Sequence, residues 1–351
     1  MKKILIVIPN VAKAGGTERA GINMANIFSK NYDVKILSLA RNNNKPFYAI
    51  NDNVKIIYSQ IGDIPVPISK KIKWFYKVYS FIKKQLYDVD IIIGLGHNIN
   101  AAIGLLKTPN KIIIGCEHID YNSIPKMSKL IMNRVYPKLD ALVVLSKIAQ
   151  ENVKHLNKKV VIIPNSLPFE TNKYSELDNN RILMVGRLSP EKGYERIIPL
   201  GKYLKNNYPG WKIDIFGDGN IYDELKSLYQ DHNLHNIFLN RAVQNIKEEY
   251  LKSSLLLSTS YNEAMPMVFL EAMSCGVPVL SYRNEGAECI VEESRNGVIV
   301  DTEEELIKEC SKLIDDAVWR KMLGRNGVES SKEFSADNVR VKWYTLLNSF
   351  N

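Results

Sequence analysis

The chain has 351 residues, of which 45% are hydrophobic and 24% charged. This composition excludes a disordered or fibrous protein and predicts a globular protein with two domains. The net charge of +9 is uneven: residues 1–165 hold 25 Lys and Arg against 10 Asp and Glu, whereas residues 166–351 hold 22 against 28. The two halves should therefore meet different partners, and nucleic acid and an anionic membrane are both candidates for the basic half.

The first half begins with an apolar run, Ile4–Ile8, that stops at Pro9 and is too short for a signal peptide. It predicts the first strand of a parallel sheet whose strands are buried on both faces. Similar runs predict strands at Val34–Leu39, Val54–Tyr58, Ile91–Leu95, Ile112–Gly115, Leu142–Leu145 and Val160–Ile163. Helical periodicity falls between most of them, at Glu18–Ser29, Ser69–Leu86, Ser128–Tyr136 and Ser146–Leu156.

The second half repeats this alternation after Pro164–Asn180, a polar stretch without periodicity that we interpret as a linker. Strands are predicted at Ile182–Val185, Lys212–Phe216, Ile237–Leu239, Leu255–Leu257, Val279–Ser281 and Val298–Val300. The pattern predicts two doubly wound, Rossmann-like α/β domains, residues 1–165 and 166–334, with a cleft between them. A last helix within residues 335–351 is expected to pack back on the first domain.

Two features of the chain bear on its compartment. The four cysteines, Cys116, Cys275, Cys289 and Cys310, are far apart in the sequence and predict free thiols in a reducing environment. No apolar run approaches the length that spans a membrane. We therefore expect a cytoplasmic protein, peripheral on the inner face of the cell membrane if it binds lipid.

Three loops at the carboxyl ends of predicted strands suit a phosphorylated ligand. The first contains Gly15 and Gly16, which allow a close backbone approach at the start of a helix. The second, Gly186–Gly193, carries Arg187 and Lys192 beside Pro190, which is interpreted as a helix start. The third is Phe216–Gly219. None completes Gly-x-Gly-x-x-Gly, so the dinucleotide fingerprint is absent.

The most informative segment places two carboxylates eight positions apart. Pro266 predicts the start of a helix, and Gly276 followed by Pro278 predicts its end. Glu263 should therefore lie on the loop before this helix and Glu271 inside it. Carboxylates that accept hydroxyl hydrogen bonds, next to a helix end that attracts anions, suit a ligand that is both hydroxylated and phosphorylated. A nucleotide-sugar fits that description.

Asp88-Val-Asp90 resembles an Asp-x-Asp metal motif, but it precedes a buried strand instead of following one. We interpret both aspartates as solvated residues at the entry of that strand. The sequence therefore predicts no metal site.

In their order along the chain, these motifs resemble those of glycosyltransferase family 4, the retaining transferases of the two-domain GT-B fold. The motifs are Gly15-Gly16-Thr17-Glu18-Arg19, Gly186-Arg187-Leu-Ser-Pro-Glu-Lys192-Gly193, Phe216-Gly217-Asp218-Gly219 and the Glu263-to-Glu271 segment. The resemblance covers nearly the whole chain. It is strongest to bacterial enzymes that build lipid-linked oligosaccharides, capsule or O-antigen.

The resemblance implies a role for each motif. Glu271 would hold the ribose and Glu263 the donor sugar, while Arg187 and Lys192 would neutralise the departing diphosphate. Gly15 and Gly16 would approach the phosphates from the other domain, and His118 matches the family's histidine near the donor sugar. His97, which also follows a strand, is a weaker candidate for that histidine. The implied donor site further includes Gly217, Arg241, Met265, Pro266, Met267 and Val268.

Two positions depart from the family pattern. Ala264 stands where the family usually has glycine after the first Glu, and Asn240 stands where it usually has glycine after the third strand of the second domain. Asn tolerates left-handed backbone angles, so Asn240 is a mild change. Ala264 adds a methyl group beside the sugar pocket and leaves the identity of the donor open.

The implied reaction transfers a hexose-type sugar from a nucleotide-diphosphate sugar, with UDP favoured, to a lipid-linked or polysaccharide acceptor in bacterial surface glycan synthesis. Cations and helix ends would stabilise the leaving diphosphate without a metal or another cofactor. Retention of configuration would follow attack on the same face of the sugar. No side chain is then required as the base.

The segment Lys70–Lys84 combines six lysines with five aromatic residues. Ile72, Phe75, Tyr76, Tyr79 and Ile82 would form one helical stripe, with Trp74 and Phe81 outside it. Such a helix suits a membrane interface, and it equally suits packing on a sheet with a solvated lysine face. The charge of the whole half favours peripheral membrane contact and a lipid-diphosphate acceptor.

Three other interpretations stay open. A GT-B nucleotide-sugar epimerase would need catalytic acids that these motifs do not supply. A nucleic-acid-binding protein would fit the basic half, but no nucleic-acid motif is recognisable, so we predict no such partner. A catalytically inactive sensor of sugar nucleotides can be distinguished from an enzyme only by a turnover assay.

Overall fold

The computed structural model describes residues 1–39, 45–62, 68–106, 108, 110–292 and 294–350. They form two compact units. The first consists of residues 1–166 and the C-terminal stretch that begins at Ala336, and the second runs from Leu167 to Ser335. The boundaries expected from the sequence fall one residue before each of these.

Among the described residues of the first unit, seven parallel strands form one sheet. In chain order they are β1 (Lys3–Ile8), β2 (Asp33–Ser38), β3 (Lys55–Tyr58), β4 (Ile91–Leu95), β5 (Ile112–Cys116), β6 (Ala141–Val144) and β7 (Val160–Ile162). Across the sheet the order is β3-β2-β1-β4-β5-β6-β7, so it reverses between β1 and β4. Alternate residues of β1 enter two separate cores, Ile4, Ile6 and Ile8 on one face and Leu5 and Val7 on the other. That double burial explains the continuous apolar runs.

The helices of this unit lie between its strands. They are α1 (Gly16–Phe28), α2 (Ile68–Gln85), α3 (His97–Ile103), α4 (Lys126–Val135) and α5 (Lys147–Val153).

The second unit contains, within the described part of the chain, a six-stranded parallel sheet. Its strands are β8 (Arg181–Val185), β9 (Lys212–Phe216), β10 (Ile237–Asn240), β11 (Leu255–Ser258), β12 (Val279–Tyr282) and β13 (Gly297–Val300). Its helices are α6 (Ile198–Asn207), α7 (Tyr222–Asp231), α8 (Lys247–Leu251), α9 (Met267–Ser274), α10 (Glu285–Ala287), α11 (Glu303–Asp315) and α12 (Ala317–Ser331).

The strand order of the second sheet, β10-β9-β8-β11-β12-β13, reverses between β8 and β11. Ligands of open α/β sheets bind outside the carboxyl ends of the strands at such a reversal. The loops that leave β8 and β11 are those that carry Lys192 and Glu263.

The last helix, α13 (Ala336–Asn348), belongs to the first unit. Val339, Trp343, Leu346 and Leu347 are buried on its apolar face. The ring of Trp343 meets that of Phe28 edge to face, with centroids 5.4 Å apart. Aromatic contacts of this geometry stabilise a packed interface beyond the area that they bury.

The strand predictions are confirmed, since every predicted strand is present with ends within one residue. α3 was not predicted from the sequence, and the predicted end of α5 at Leu156 is three residues beyond the observed end at Val153. Pro190 was expected to begin a helix. It begins only a one-turn 3₁₀ segment, Pro190–Lys192, and the α-helix of this region starts at Ile198.

The predicted apolar stripe of α2 is partly wrong. The helix packs on the sheet through Trp74, Val78 and Ile82, all buried, while Ile72 and Tyr76 are 72% and 68% exposed. The indole of Trp74 donates a 2.9 Å hydrogen bond to the carbonyl of Gly62, which fixes this face inward. α2 is thus a sheet-packing helix that also presents two apolar side chains among exposed lysines.

Asp88 and Asp90 are residues of strand entry, as expected. Asp88 forms ion pairs with Lys3 and Lys35, and the carboxylate of Asp90 accepts a 2.8 Å hydrogen bond from the backbone N–H of Lys3.

All four cysteines are free thiols. Over the residues that the structure describes, no group of three or more His, Cys, Asp and Glu side chains could hold a metal ion. Within the same residues, no helix has both the length and the apolar character needed to cross a membrane.

Candidate active site

Glu263 lies on the loop between β11 and α9, as predicted. Pro266 occupies the cap position immediately before α9, one residue earlier than the first-turn position expected. The helix ends at Ser274 with Cys275 as its C-cap, and Gly276 follows in a left-handed conformation with φ +70°. The loop is anchored from α10, where the backbone N–H of Gly286 donates a 2.7 Å hydrogen bond to the carbonyl of Glu263.

The structure brings two of the predicted site residues into direct contact. The ammonium Nζ of Lys192 forms an ion pair with Oε1 of Glu263. Both side chains are largely enclosed, with 22% and 15% of their surface exposed. Two charges in such a partly buried position interact more strongly than an exposed surface pair would.

The turn that bears Lys192 is bonded to the loop that bears Glu263. The hydroxyl of Thr259 donates to the carbonyl of Lys192 at 2.9 Å, and the N–H of Tyr261 donates to the carbonyl of Glu191 at 3.0 Å. Gly193 has φ +63°, and a Cβ there would lie 2.5 Å from the carbonyl oxygen of Thr259. Only glycine fits a left-handed position this close to another backbone.

Arg196, which the sequence analysis did not single out, joins the same two segments. Its guanidinium lies 3.3 Å from the ring centroid of Tyr282 and 4.8 Å from that of Tyr261. It donates a 2.9 Å hydrogen bond to the carbonyl of Thr259. No local sequence signal marks this residue, because its partners come from the loop after β11 and from β12, far along the chain.

The other two predicted cations form ion pairs of their own and do not bond to Lys192 or Glu263. Arg187 is 3.3 Å from Glu191, and Arg241 is 3.4 Å from Asp218, with every one of these side chains at least 46% exposed. The guanidinium of Arg241 stacks 3.7 Å from the ring centroid of Tyr222. These exposed pairs are weakened by solvent and salt, so both arginines can exchange partners readily.

Glu271 is inside α9, as predicted, and only 2% exposed. Its Oε2 accepts a 2.7 Å hydrogen bond from the hydroxyl of Tyr250, whose oxygen also lies 3.3 Å from the carbonyl oxygen of Val268. Tyr250 was not anticipated from the sequence. Met265, Pro266 and Met267 are buried around the start of the same helix.

The glycine at 217 has a structural reason for its small size. A Cβ at this position would overlap the carbonyl oxygen of Gly186, and one at Gly219 would overlap that of Leu188. The N–H of Leu188 donates a 2.9 Å hydrogen bond to the carbonyl of Asp218. The loops after β8 and β9 therefore lie backbone against backbone.

In the first unit, Gly15 caps α1 and Gly16 is its first residue. A Cβ on Gly15 would overlap the carboxylate of Glu18, which is buried at this helix end. A carboxylate in the first turn is favoured by the helix dipole. Gly15 thus accommodates Glu18, whereas Gly16 is exposed.

His118 follows β5, and its Nε2 is buried without a hydrogen-bond partner among the described residues. Burial lowers the pKa of its imidazole to about 4. The side chain lines a small cavity of about 20 Å³ with Ala20, Met24 and Trp343. This volume is sufficient for a single water molecule.

His97, the weaker candidate, is the first residue of α3, and its pKa is also lowered, by burial and by Lys71.

Glu117, next to His118, is a buried carboxyl that was not predicted as a site residue from the sequence. Its Oε1 accepts hydrogen bonds from the hydroxyl of Tyr136 and, at 2.7 Å, from the amide of Asn100. Burial raises the pKa of Glu117 to about 7, although both hydrogen bonds act in the opposite direction. A carboxylate at the end of a run as apolar as Ile112–Cys116 is a signal that could have identified it.

Comparisons with known proteins bear on the family and the fold. Residues 168–330 match the profile of the family "Glycosyl transferases group 1". An uncharacterised glycosyltransferase of Haemophilus influenzae is 28% identical over 362 aligned residues, covering 99% of this chain and 100% of that protein. The chain is a glycosyltransferase with the GT-B fold. This finding confirms the resemblance drawn from the motifs and the Rossmann-like α/β class of both units.

Two other similar proteins have informative names. A Campylobacter jejuni protein, 29% identical over 99% of this chain and 98% of its own length, is named as an α-1,4-N-acetyl-D-galactosaminyltransferase of GalNAc-α-(1→4)-GalNAc-α-(1→3)-diNAcBac-PP-undecaprenol. The S. aureus TarM structure with fondaparinux, α-GlcNAc-glycerol and UDP has a TM-score of 0.83 at 15% identity, covering 99% of this chain and 100% of that one. At that identity the likeness concerns the fold alone.

Proposed function

We propose that this glycosyltransferase transfers a hexose-type sugar, with retention of configuration, from a UDP-sugar to a lipid-linked or polysaccharide acceptor in bacterial surface glycan synthesis. The observation that carries the proposal is the enclosed Lys192–Glu263 pair at the strand-order reversal of the second sheet. In this proposal, Lys192 is the cation for a diphosphate and Glu263 is the carboxylate for a sugar. UDP in the TarM structure and the lipid diphosphate in the name of the Campylobacter protein support the choice of donor and acceptor.

The second unit would bind the donor. Glu271 accepts hydrogen bonds from the ribose hydroxyls, and Glu263 accepts them from the sugar. Lys192 and Arg187 neutralise the diphosphate. The free N–H groups at the start of α9, near Met267, face the same ligand because the first turn of a helix leaves them without partners. Gly217, Arg241, Met265, Pro266 and Val268 complete the proposed donor site.

The first unit would supply the acceptor side. By the family resemblance, Gly15 and Gly16 are the proposed contacts to the phosphates, and His118, uncharged at neutral pH, is the proposed contact to the donor sugar. Its lowered pKa suits a hydrogen-bonding group better than a proton acceptor of the reaction.

The transfer would proceed on one face of the sugar. The bond between the anomeric carbon and the diphosphate oxygen breaks as the acceptor oxygen bonds to the same carbon. The departing phosphate oxygen takes the proton of the acceptor hydroxyl. The cations stabilise the charge that develops on the diphosphate, so the chemistry requires no metal ion and no side-chain base.

Thermal-shift measurements with UDP, GDP, ADP and their sugars test the donor assignment. We expect UDP and a UDP-sugar to raise the melting temperature of the wild type. Turnover is then measured as release of UDP in the presence of a lipid-diphosphate-linked glycan. No stabilisation by any of these nucleotides would contradict the proposal, and a trapped glycosyl adduct on a carboxylate would exclude the same-face mechanism.

We further propose that α2 contacts an anionic membrane. The exposed Ile72 and Tyr76 among its lysines support this, since apolar side chains in a basic helix insert between lipid headgroups. Sedimentation with liposomes that contain anionic lipid should be lost when four lysines of this helix are changed to glutamine, namely Lys70, Lys71, Lys73 and Lys77.

The matched control neutralises four exposed lysines of the second unit, Lys202, Lys205, Lys226 and Lys308. This control should still bind the liposomes. Equal binding by both quadruple variants would count against a specific role of α2.

A further inference from the structure

We propose that Glu263 makes the site select the intact sugar donor over the nucleoside diphosphate product, by competing with the diphosphate for Lys192. This inference rests on the proposed function and assigns a second task to a residue placed in the sugar site. The product contains the same diphosphate as the donor, so an enzyme that binds the diphosphate tightly would be inhibited by its own product. A feature of the site that weakens the binding of the product alone would avoid this inhibition.

The ion pair already satisfies Lys192 before any ligand arrives. Its ammonium contacts a carboxylate in an enclosed position, which reduces the attraction that the cation exerts on a diphosphate. A diphosphate that binds there must draw the ammonium away from Glu263 or share it. In either case the carboxylate is left near a second negative group with part of its stabilisation lost.

The backbone around the pair is held in place, so the competition involves side chains. Thr259 and Tyr261 bond to the Lys192 turn, and Gly286 bonds to the carbonyl of Glu263. Arg196 packs between the rings of Tyr261 and Tyr282 and bonds to Thr259. Because these contacts involve neither Nζ of Lys192 nor Oε1 of Glu263, they persist when the ion pair opens.

The intact donor compensates both partners of the pair. Its diphosphate satisfies Lys192, and a hydroxyl of its sugar donates a hydrogen bond to the released carboxylate of Glu263. The nucleoside diphosphate offers only the first of these contacts. After transfer, Glu263 loses its sugar partner and regains Lys192, which favours departure of the product.

The other cations do not have this property. Arg187 and Arg241 pair with acidic groups that are themselves exposed, and such pairs are screened by solvent. When a diphosphate binds to either arginine, the acidic side chain that it leaves can be solvated by water. Selection between donor and product therefore depends on Glu263.

Calorimetric titration of wild type and Glu263→Gln with UDP and with UDP-glucose, in the absence of acceptor, tests the inference. Glutamine keeps the shape and the oxygen acceptor but removes the charge. We expect the variant to bind UDP about five- to tenfold more tightly, since a partly buried ion pair no longer competes. UDP-glucose should bind no more tightly than before, so the preference for the donor over the product shrinks or reverses.

The matched control is Glu195→Gln, in the 3₁₀ segment Tyr194–Ile197 that follows the Lys192 turn. Glu195 is exposed and accepts a 2.7 Å hydrogen bond from the hydroxyl of Tyr261, which glutamine can also accept. It removes one negative charge near the site without touching Lys192, and UDP affinity should change less than about twofold, as for an exposed charge. An equal gain in both variants would show a general charge effect and overturn the inference.

A double-mutant cycle gives a second, independent measurement. Lys192→Gln should weaken UDP binding more in the Glu263→Gln background than in the wild type, because only the freed ammonium is fully available. Equal losses in both backgrounds would overturn the competition. Failure of the wild type to bind any nucleoside diphosphate would instead contradict the proposed function itself, whereas binding without tightening in Glu263→Gln would contradict only this inference.

Discussion

The carboxyl edges of the two sheets hold their titratable groups in opposite ways. After β5 in the first unit, burial lowers the pKa of His118 to about 4 and raises that of Glu117 to about 7. After β8 and β11 in the second unit, charged groups are present and face one another, as Lys192 does with Glu263. One edge disfavours charge, and the other arranges charges of both signs.

The contrast shows that net charge is a poor guide to a site. The half of the sequence with a net charge of +15 is the one whose sheet edge disfavours charged groups, and many of its lysines are on the exposed face of α2. The half with a net charge of −6 contains the cations that suit a diphosphate. In the proposed function, the neutral edge would receive the acceptor hydroxyl and the charged edge the donor, whose diphosphate leaves as an anion.

The largest effect is expected from removing the enclosed cation of the second unit. Lys192→Gln should reduce turnover by about 10²–10³-fold, because the diphosphate leaves without its preorganised counter-charge. Steady-state kinetics with saturating donor measure this effect. Lys202→Gln, an exposed lysine of α6 in the same unit, is the control and should be unaffected. A loss below about fivefold would remove Lys192 from the site, given the effect expected of such a group.

A second effect tests whether the first unit disfavours charge. The pKa of Glu117 is raised from its usual 4.5 to about 7, so the folded protein binds this proton more tightly than the unfolded chain. Its stabilising contribution is fully present below pH 4.5 and is lost as the pH rises towards 7. Relative to Glu117→Gln, the wild type should lose about 3 kcal/mol of unfolding free energy over this range.

Urea unfolding of both proteins measures this difference at a series of pH values between 4.5 and 8. This interval includes the usual pKa of a glutamate and the raised pKa of Glu117. Glu151→Gln changes an exposed carboxylate of α5 and serves as the control, with no such slope relative to the wild type. A constant difference between wild type and Glu117→Gln would mean that Glu117 is charged in the fold.

A smaller effect separates the two carboxylates of the second unit. Glu271→Gln should weaken binding of UDP and of a UDP-sugar equally, by about tenfold, because both contain the ribose that this charged group is proposed to bind. Calorimetric titration with both ligands measures it. Full turnover with unchanged donor affinity would remove the ribose assignment.

The smallest effect concerns donor choice. Ala264 is 6% exposed beside Glu263, and Ala264→Gly removes one methyl group from the wall of the proposed sugar site. We expect the ratio of kcat/KM between two UDP-sugars that differ in bulk to change by about fourfold, as for one buried methyl group. Competition assays with UDP-glucose and UDP-N-acetylglucosamine measure the ratio, and no change would place Ala264 outside the sugar pocket.

The sequence predicted the parts of this comparison that depend on local patterns. Periodicity located the strands, and motif spacing selected Lys192 and Glu263, which the fold brings together across 71 intervening steps of the chain. It could not predict Arg196 or Tyr250, because both act through contacts with residues of other helices, strands and loops. It also predicted the apolar stripe of α2 only in part, since Ile82 is buried as expected whereas Ile72 and Tyr76 are exposed.

Glu117 escaped notice for a related reason. Its hydrogen-bond partners, Asn100 and Tyr136, come from α3 and the end of α4, and α3 itself was not predicted. A buried polar group can be recognised only when its partners are known.

The backbone contact between the loops after β8 and β9 limits how this enzyme can be re-engineered. Neither Gly217 nor Gly219 has room for a side-chain atom, so the backbone conformation of each loop depends on that of the other. If the Gly186–Gly193 loop alone were replaced by that of a relative, its backbone would be adapted to a different loop after β9. A chimera that changes donor preference should therefore exchange both loops as one cassette.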